Sequence, residues 1–128
     1  MRNIILLTII GLTILSCSKD NNPDPELIGR WIWEGSSGGI AGITETPEST
    51  GDNRELDISA DSIKSYLNGT LNFQTAYSTE TRESVIFNEP REMVIQENGF
   101  RQIIEFSGGK LILIGDCYDC YISEYIKE

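Results

Sequence analysis

The chain of 128 residues contains no histidine. That absence excludes Ser-His-Asp and Cys-His nucleophile pairs and imidazole metal sites, and it removes the commonest general base. Basic residues are scarce as well: 10 Lys and Arg stand against 20 Asp and Glu, for a formal charge of -10. Phosphate binding needs a basic face, so nucleic acid is not an expected partner. Anionic headgroups would repel the domain too, and the acidity reads as solubility. No apolar run reaches the about 20 residues that cross a bilayer as a helix, and no stretch after Leu27 shows helical period. These gaps point away from an enzyme, and neither a cofactor nor a metal is expected.

What is present starts with an address. Met1-Arg2-Asn3 precedes an apolar run from Ile4 to Leu15, which ends at Ser16-Cys17. A basic start, a short greasy core and a small residue before the cut make a secretory signal. Ile14-Leu15-Ser16-Cys17 resembles the bacterial lipobox. The resemblance implies a signal peptide over 1–16 and a Cys17 that carries acyl chains such as palmitate, anchoring the protein to the outer membrane of a cell envelope. Two or more chains make such an anchor stable. Residues 18–26 are polar with two prolines and read as a tether. Ser18-Lys19-Asp20 is similar to the surface-export signal of lipoproteins in the Bacteroidetes.

Residues 27–128 read as one domain. Apolar residues recur there at spacing two in short bursts, as in Trp31 and Trp33, Leu56 and Ile58, Met93 and Ile95, Ile104 and Phe106, and Ile122 and Ile126. Leu111 through Ile114 is apolar on both faces and should be the most buried strand, or one covered on its outer side. Asn68-Gly69, Asn98-Gly99 and Gly108-Gly109 read as hairpin turns, because these residues tolerate positive φ. About eight short strands joined by hairpins give an all-β chain, with a small up-and-down antiparallel barrel as the expected architecture. The expected inward set is Trp31, Trp33, Leu56, Ile58, Ile63, Leu67, Leu71, Phe73, Phe87, Met93, Ile95, Ile104, Phe106, Leu111, Leu113, Ile122 and Ile126. So many bulky groups should fill most of a shallow interior and leave a narrow cavity.

Gly29-Arg30-Trp31 at the start of the first strand resembles the lipocalin signature, in which the Trp closes one end of the barrel. With the Gly39-Ile40-Ala41-Gly42 segment, the Thr46–Gly51 stretch and the cysteine turn near the end, the chain is similar to lipocalin-like lipoproteins of the Bacteroidetes. In lipocalins an Arg near the last strand packs over that Trp; here the last strand offers only Lys127. The resemblance implies a barrel that binds a small apolar or amphiphilic molecule. The connection from Gly35 to Asn53 would then be a lid over its mouth, or else a plug that binds nothing. The residues expected to touch such a ligand are Trp31, Trp33, Ile40, Ile43, Phe73 and Phe106. The alternative is a filled barrel acting as an interaction module for another envelope protein.

Cys117-Tyr118-Asp119-Cys120 is the other notable cluster. A β-turn brings residues i and i+3 within about 7 Å, which suits a disulfide in an oxidising compartment. A redox CxxC needs a helix N-terminus behind the first sulfur, and a metal site using Asp116 and Asp119 lacks the histidines of a complete zinc set. Glu34, Asp57, Glu105 and Glu124 are carboxylates of the outer strand faces.

Overall fold

Turn chemistry and a period of two set the architecture. The computed structural model describes residues 23–128; Cys17, the signal and most of the tether lie outside the described residues. The strands are β1 (Gly29–Gly38), β2 (Ile43–Glu45), β3 (Arg54–Ile58), β4 (Ser62–Leu67), β5 (Thr70–Glu83), β6 (Pro90–Gln96), β7 (Arg101–Ser107), β8 (Lys110–Gly115) and β9 (Tyr121–Lys127). Eight of them, β1 and β3 through β9, follow one another antiparallel, and β9 returns to pair with β1. The result is a closed eight-stranded up-and-down barrel, as the sequence pattern predicts. Closure leaves few bare strand edges. Asn68 and Gly69 take φ of 51° and 82°, and Gly108 and Gly109 take 57° and 79°, the left-handed pairs that two-residue hairpins require.

The connection from Gly35 to Asn53, expected as a lid or a plug, carries regular structure of its own. β1 runs on to Gly38 and forms a hairpin with β2, Ser36 opposite Glu45. A single helical turn, α1 (Pro47–Thr50), follows. Thr46 caps it through a reciprocal bond with Ser49, Pro47 opens it, and Gly51 closes it at φ 72°. The capping signal was therefore present in Thr46-Pro47-Glu48-Ser49. One turn is too short to show the 3.6 period that marks a helix in sequence.

The end of the barrel where β1 begins, the base, holds the main core. Leu27 is fully buried and sits with Trp31, Leu56, Ile58, Ile63, Val94, Ile104, Leu111 and Leu113. The Trp31 indole N–H donates to the Leu27 carbonyl at 2.9 Å, which ties Leu27, the residue that plugs the base, to the first strand. Burying a leucine or tryptophan of this kind stabilises the fold by about 2–3 kcal/mol. Pro23, within the expected tether, is buried too. Lys127 places its ammonium 5.3 Å from the centre of the Trp31 ring.

A second, smaller cluster lies outside the barrel wall. Met93, Ile103 and Ile114 are paired neighbours on β6, β7 and β8, and they are buried beneath the β5–β6 connection, with Ile86 packed on them. This corrects the expected register of β6: Val94 faces the interior, whereas Met93 and Ile95 face outward. The covered outer face also accounts for the double-sided Leu111–Ile114 run. The register of β9 is corrected as well. Tyr125 pairs with Trp33 and Ser123 with Ser36, so these face inward, and Ile122 and Ile126 lie on the outer side, partly exposed. Phe87 sits in the β5–β6 connection beneath the Arg91 guanidinium, and Leu71 is half-exposed beyond a bulge in the β4–β5 ladder. A slip of one residue moves a whole strand's side chains to the other face. Apolar residues on both faces of β6, and a polar inner face on β9, hide the true phase.

Candidate functional site at the barrel mouth

The opposite end, the mouth, is polar inside. Trp33 Nε1 donates to Ser36 Oγ at 2.8 Å, and Ser36 Oγ lies 2.7 Å from Ser123 Oγ. Arg54 opens β3 two residues before Leu56, so its side chain shares the inner face with Leu56 and Ile58. Its guanidinium stacks over the Trp33 ring, 4.2 Å from the centre. Glu45 and Asp52 stand at 3.6 and 3.8 Å from Arg54, at ion-pair range but beyond good hydrogen bonds. Among the described residues the guanidinium has no closer acceptor.

Two adjoining hollows lie at this end, the outer one beside Arg54. The outer one is about 370 Å³ and is lined by Asp52, Arg54, Ser65, Tyr66, Leu67, Asn72 and Tyr125. The inner one is about 160 Å³ and is lined by Leu56, Ile63, Ser65, Phe73, Gln96, Gln102, Leu113 and Tyr125. Ser65 and Tyr125 belong to both and mark the throat. Burial pushes the Tyr125 phenol above its usual 10, against a downward pull from a Ser123 hydrogen bond and the Arg54 charge. Tyr125 therefore stays neutral at physiological pH and can both donate and accept a hydrogen bond.

The six residues expected to contact a ligand fall in three places. Trp33 and Phe73 stand at the mouth, Trp33 under Arg54 and Phe73 in the inner hollow. Trp31 and Phe106 meet at the base, ring centres 6.4 Å apart, where they line a separate hollow of about 400 Å³ with Glu26, the Gly108–Gly109 turn, Lys110 and Lys127. Ile40 is 91% exposed and Ile43 51%, out on the β1–β2 hairpin. Arg54, Ser65, Gln96, Gln102 and Tyr125 were missed by the sequence reading. A signal existed for Arg54, because the alternation that places Leu56 and Ile58 inside also places Arg54 there.

Cys117 and Cys120 stand at disulfide distance, Cα atoms 5.2 Å apart, and clip the β8–β9 turn. Gly115 lies against the Cys120 side chain and leaves no room for a Cβ. Asp116, one residue on, is fully buried. Its Oδ1 accepts from Ser84 Oγ at 2.8 Å and from the Val85 N–H at 2.9 Å, fastening the β5–β6 connection to the barrel wall, and Arg101 faces its other oxygen at 3.6 Å. The expected outer carboxylates pair with cations: Glu34 and Glu124 with Lys110, and Glu105 with Arg91.

No protein-family model, curated protein or solved structure matches the chain. What the mouth can hold follows from its walls. The outer hollow is ringed by Arg54, the Asp52 carboxylate and neutral hydrogen-bonding groups, and the inner one is lined by Leu56, Ile63, Phe73 and Leu113 together with Ser65, Gln96, Gln102 and Tyr125. Such walls suit a small molecule with a polar, hydrogen-bonding end outward and a short, partly apolar part inward. Among the described residues, no helix is long and apolar enough to cross a membrane.

Proposed function

We propose that this chain is a lipocalin-like lipoprotein, anchored through acylated Cys17 to the outer membrane, whose barrel binds a small amphiphilic ligand at the Arg54 mouth. The observation that carries this reading is the pair of adjoining hollows that share Ser65 and Tyr125, the outer one beside Arg54 and the inner one lined by Leu56, Ile63, Phe73 and Leu113 as well as by Gln96 and Gln102. The inner space of about 160 Å³ limits the inserted part to a few carbon atoms, so a long fatty chain does not fit without displacing side chains. Arg54 would meet the polar end, and Trp33 beneath it would report occupancy. The lipobox supports the anchor, and the charge of -10 leaves the lipid as the means of attachment.

The test uses the C17S chain exposed to envelope lipid extract and weighed by native mass spectrometry, with tryptophan fluorescence followed against short- and long-chain carboxylates. Retained mass and a fluorescence change with short chains, both weakened in R54Q, are expected. No retained mass and an unchanged spectrum would overturn ligand binding. That outcome would favour the second reading, a filled barrel that contacts another envelope protein. The partly exposed Leu71, Phe73, Val85 and Phe87 support this alternative. Labelling of the native protein by palmitate in its own cells tests the anchor separately.

A further inference from the structure

β5 is longer than either strand beside it, and its two halves have different neighbours. Thr70 to Ala76 pairs with β4, and Tyr77 to Glu83 pairs with β6. Strand residues point their N–H and C=O to one edge, alternating from residue to residue. The Tyr77 N–H donates to the Asp61 carbonyl, on the β4 side. Thr79, Thr81 and Glu83 therefore turn their backbone groups to that same side. β4 begins at Ser62, opposite Ala76, so it does not reach them. Among the described residues, these backbone groups have no partner across that edge. Proline, a bulge or charged side chains commonly blunt such an edge. The stretch Ser78-Thr79-Glu80-Thr81-Arg82-Glu83 has no Pro and a regular ladder to β6, and its charges, Glu80, Arg82 and Glu83, discourage any strand whose charges do not match them.

We propose that this edge pairs with the same edge of a second copy of the chain, antiparallel, with the two-fold axis at Thr81. Only residues with edge-facing backbone groups can bond, so odd-numbered positions must meet odd-numbered ones. About Thr81, Thr79 meets Glu83 of the partner subunit and Thr81 meets Thr81 of the partner subunit, giving about six backbone hydrogen bonds. Between them, in the close non-hydrogen-bonded positions, Glu80 faces Arg82 of the partner subunit, twice over. The axis at Glu80 would set two carboxylates against each other, and the axis at Arg82 two guanidinium groups. Charge thus selects the Thr81 register. Glu80 and Arg82 are about half exposed and already 2.7 Å apart within one chain, so the two pairs would merge into a four-charge ladder. The contact is isologous and small, which makes for a weak, reversible dimer.

Sedimentation equilibrium of the C17S chain tests this, because removing Cys17 leaves only the Cys117–Cys120 pair and excludes a trivial intermolecular disulfide. The weight-average mass should rise towards twice the monomer's between about micromolar and about millimolar protein. E80R alone and R82E alone put like charges across the axis and should each weaken association about tenfold, and the double variant E80R/R82E should restore it. T81P removes an N–H that has no partner among the described residues and should abolish the dimer while circular dichroism stays unchanged. A monomer at every concentration would overturn the proposal; an edge that instead captures an unrelated extended peptide would give this result. A dimer indifferent to T81P, or a double charge swap that restores nothing, would overturn it equally. If T81P fails to fold, the charge-swap series decides alone.

Discussion

The two ends of this barrel are built on opposite principles. At the base, Leu27, Trp31, Ile58 and Leu111 are almost wholly excluded from water, and the one polar group among them, the Trp31 N–H, is satisfied by a backbone carbonyl. At the mouth, the inner face carries Arg54, Ser65, Gln96, Gln102, Ser123 and Tyr125 around unfilled space. The apolar core is concentrated at one end and the polar interior at the other, the base hollow beside Trp31 and Phe106 lying outside that core. Trp31 and Trp33, two residues apart on one strand, fall on opposite sides of that divide: the first is covered by a hydrophobic plug and the second by a guanidinium.

Truncation at the base should give the largest effect. Trp31→Ala leaves a cavity under Lys127 and strands the Leu27 plug, and it should cost about 3–5 kcal/mol in urea-induced unfolding. A loss below about 1 kcal/mol would mean that the base is not the stabilising end. Next comes the wall outside the barrel. Asp116→Ala removes the acceptor for Ser84 and Val85 and leaves Arg101 without its buried counter-charge. A cost of about 1–3 kcal/mol is expected, with amide exchange in 84–89 accelerating more than in the strands. At the mouth, Arg54→Gln should change stability by less than about 1 kcal/mol, since its ion pairs are partly exposed and loose. Ligand retention should nevertheless fall about tenfold. A large stability loss there would make Arg54 a structural residue.

The smallest expected effect is at high pH. The Tyr125 and Tyr77 phenols are both raised above 10, chiefly by burial, with the Asp61 charge adding to the rise at Tyr77. The unfolded chain ionises first, so the stability these phenols contribute is intact below pH 10 and declines as pH climbs beyond it. Tyr125→Phe should flatten part of that decline in unfolding curves recorded between pH 8 and 11. An unchanged slope would remove Tyr125 from the buried throat.

Where the chain spelled out local chemistry, the sequence was readable. The Asn-Gly and Gly-Gly turns and the alternation in β3, β7 and β8 led to the barrel, and Cys117 and Cys120 lie at the distance their spacing suggested. Where long-range cover decided the outcome, it was not. The phase of β6 depends on the 84–89 segment folding back over Met93, which no local pattern announces. β9 turns Ser123 and Tyr125 inward because the mouth is polar, against the rule that the apolar phase faces the core. Arg54 was legible in principle, but a charged residue at the start of a strand is usually read as solvated. Ile40 and Ile43 seemed to ask for burial, yet the Gly39–Gly42 turn carries them into water.

β1 leaves the Leu27 plug flanked on one side by β9 along most of its length and on the other by β3 and then β2. Tension applied upstream of residue 27 therefore runs along the axis of this strand. To yield, two rows of bonds must slide together in shear instead of parting one rung at a time like a zipper. A domain gripped at its beginning in this way resists being tugged, and its mechanical strength resides in the same stretch of chain that gives the base its chemical stability.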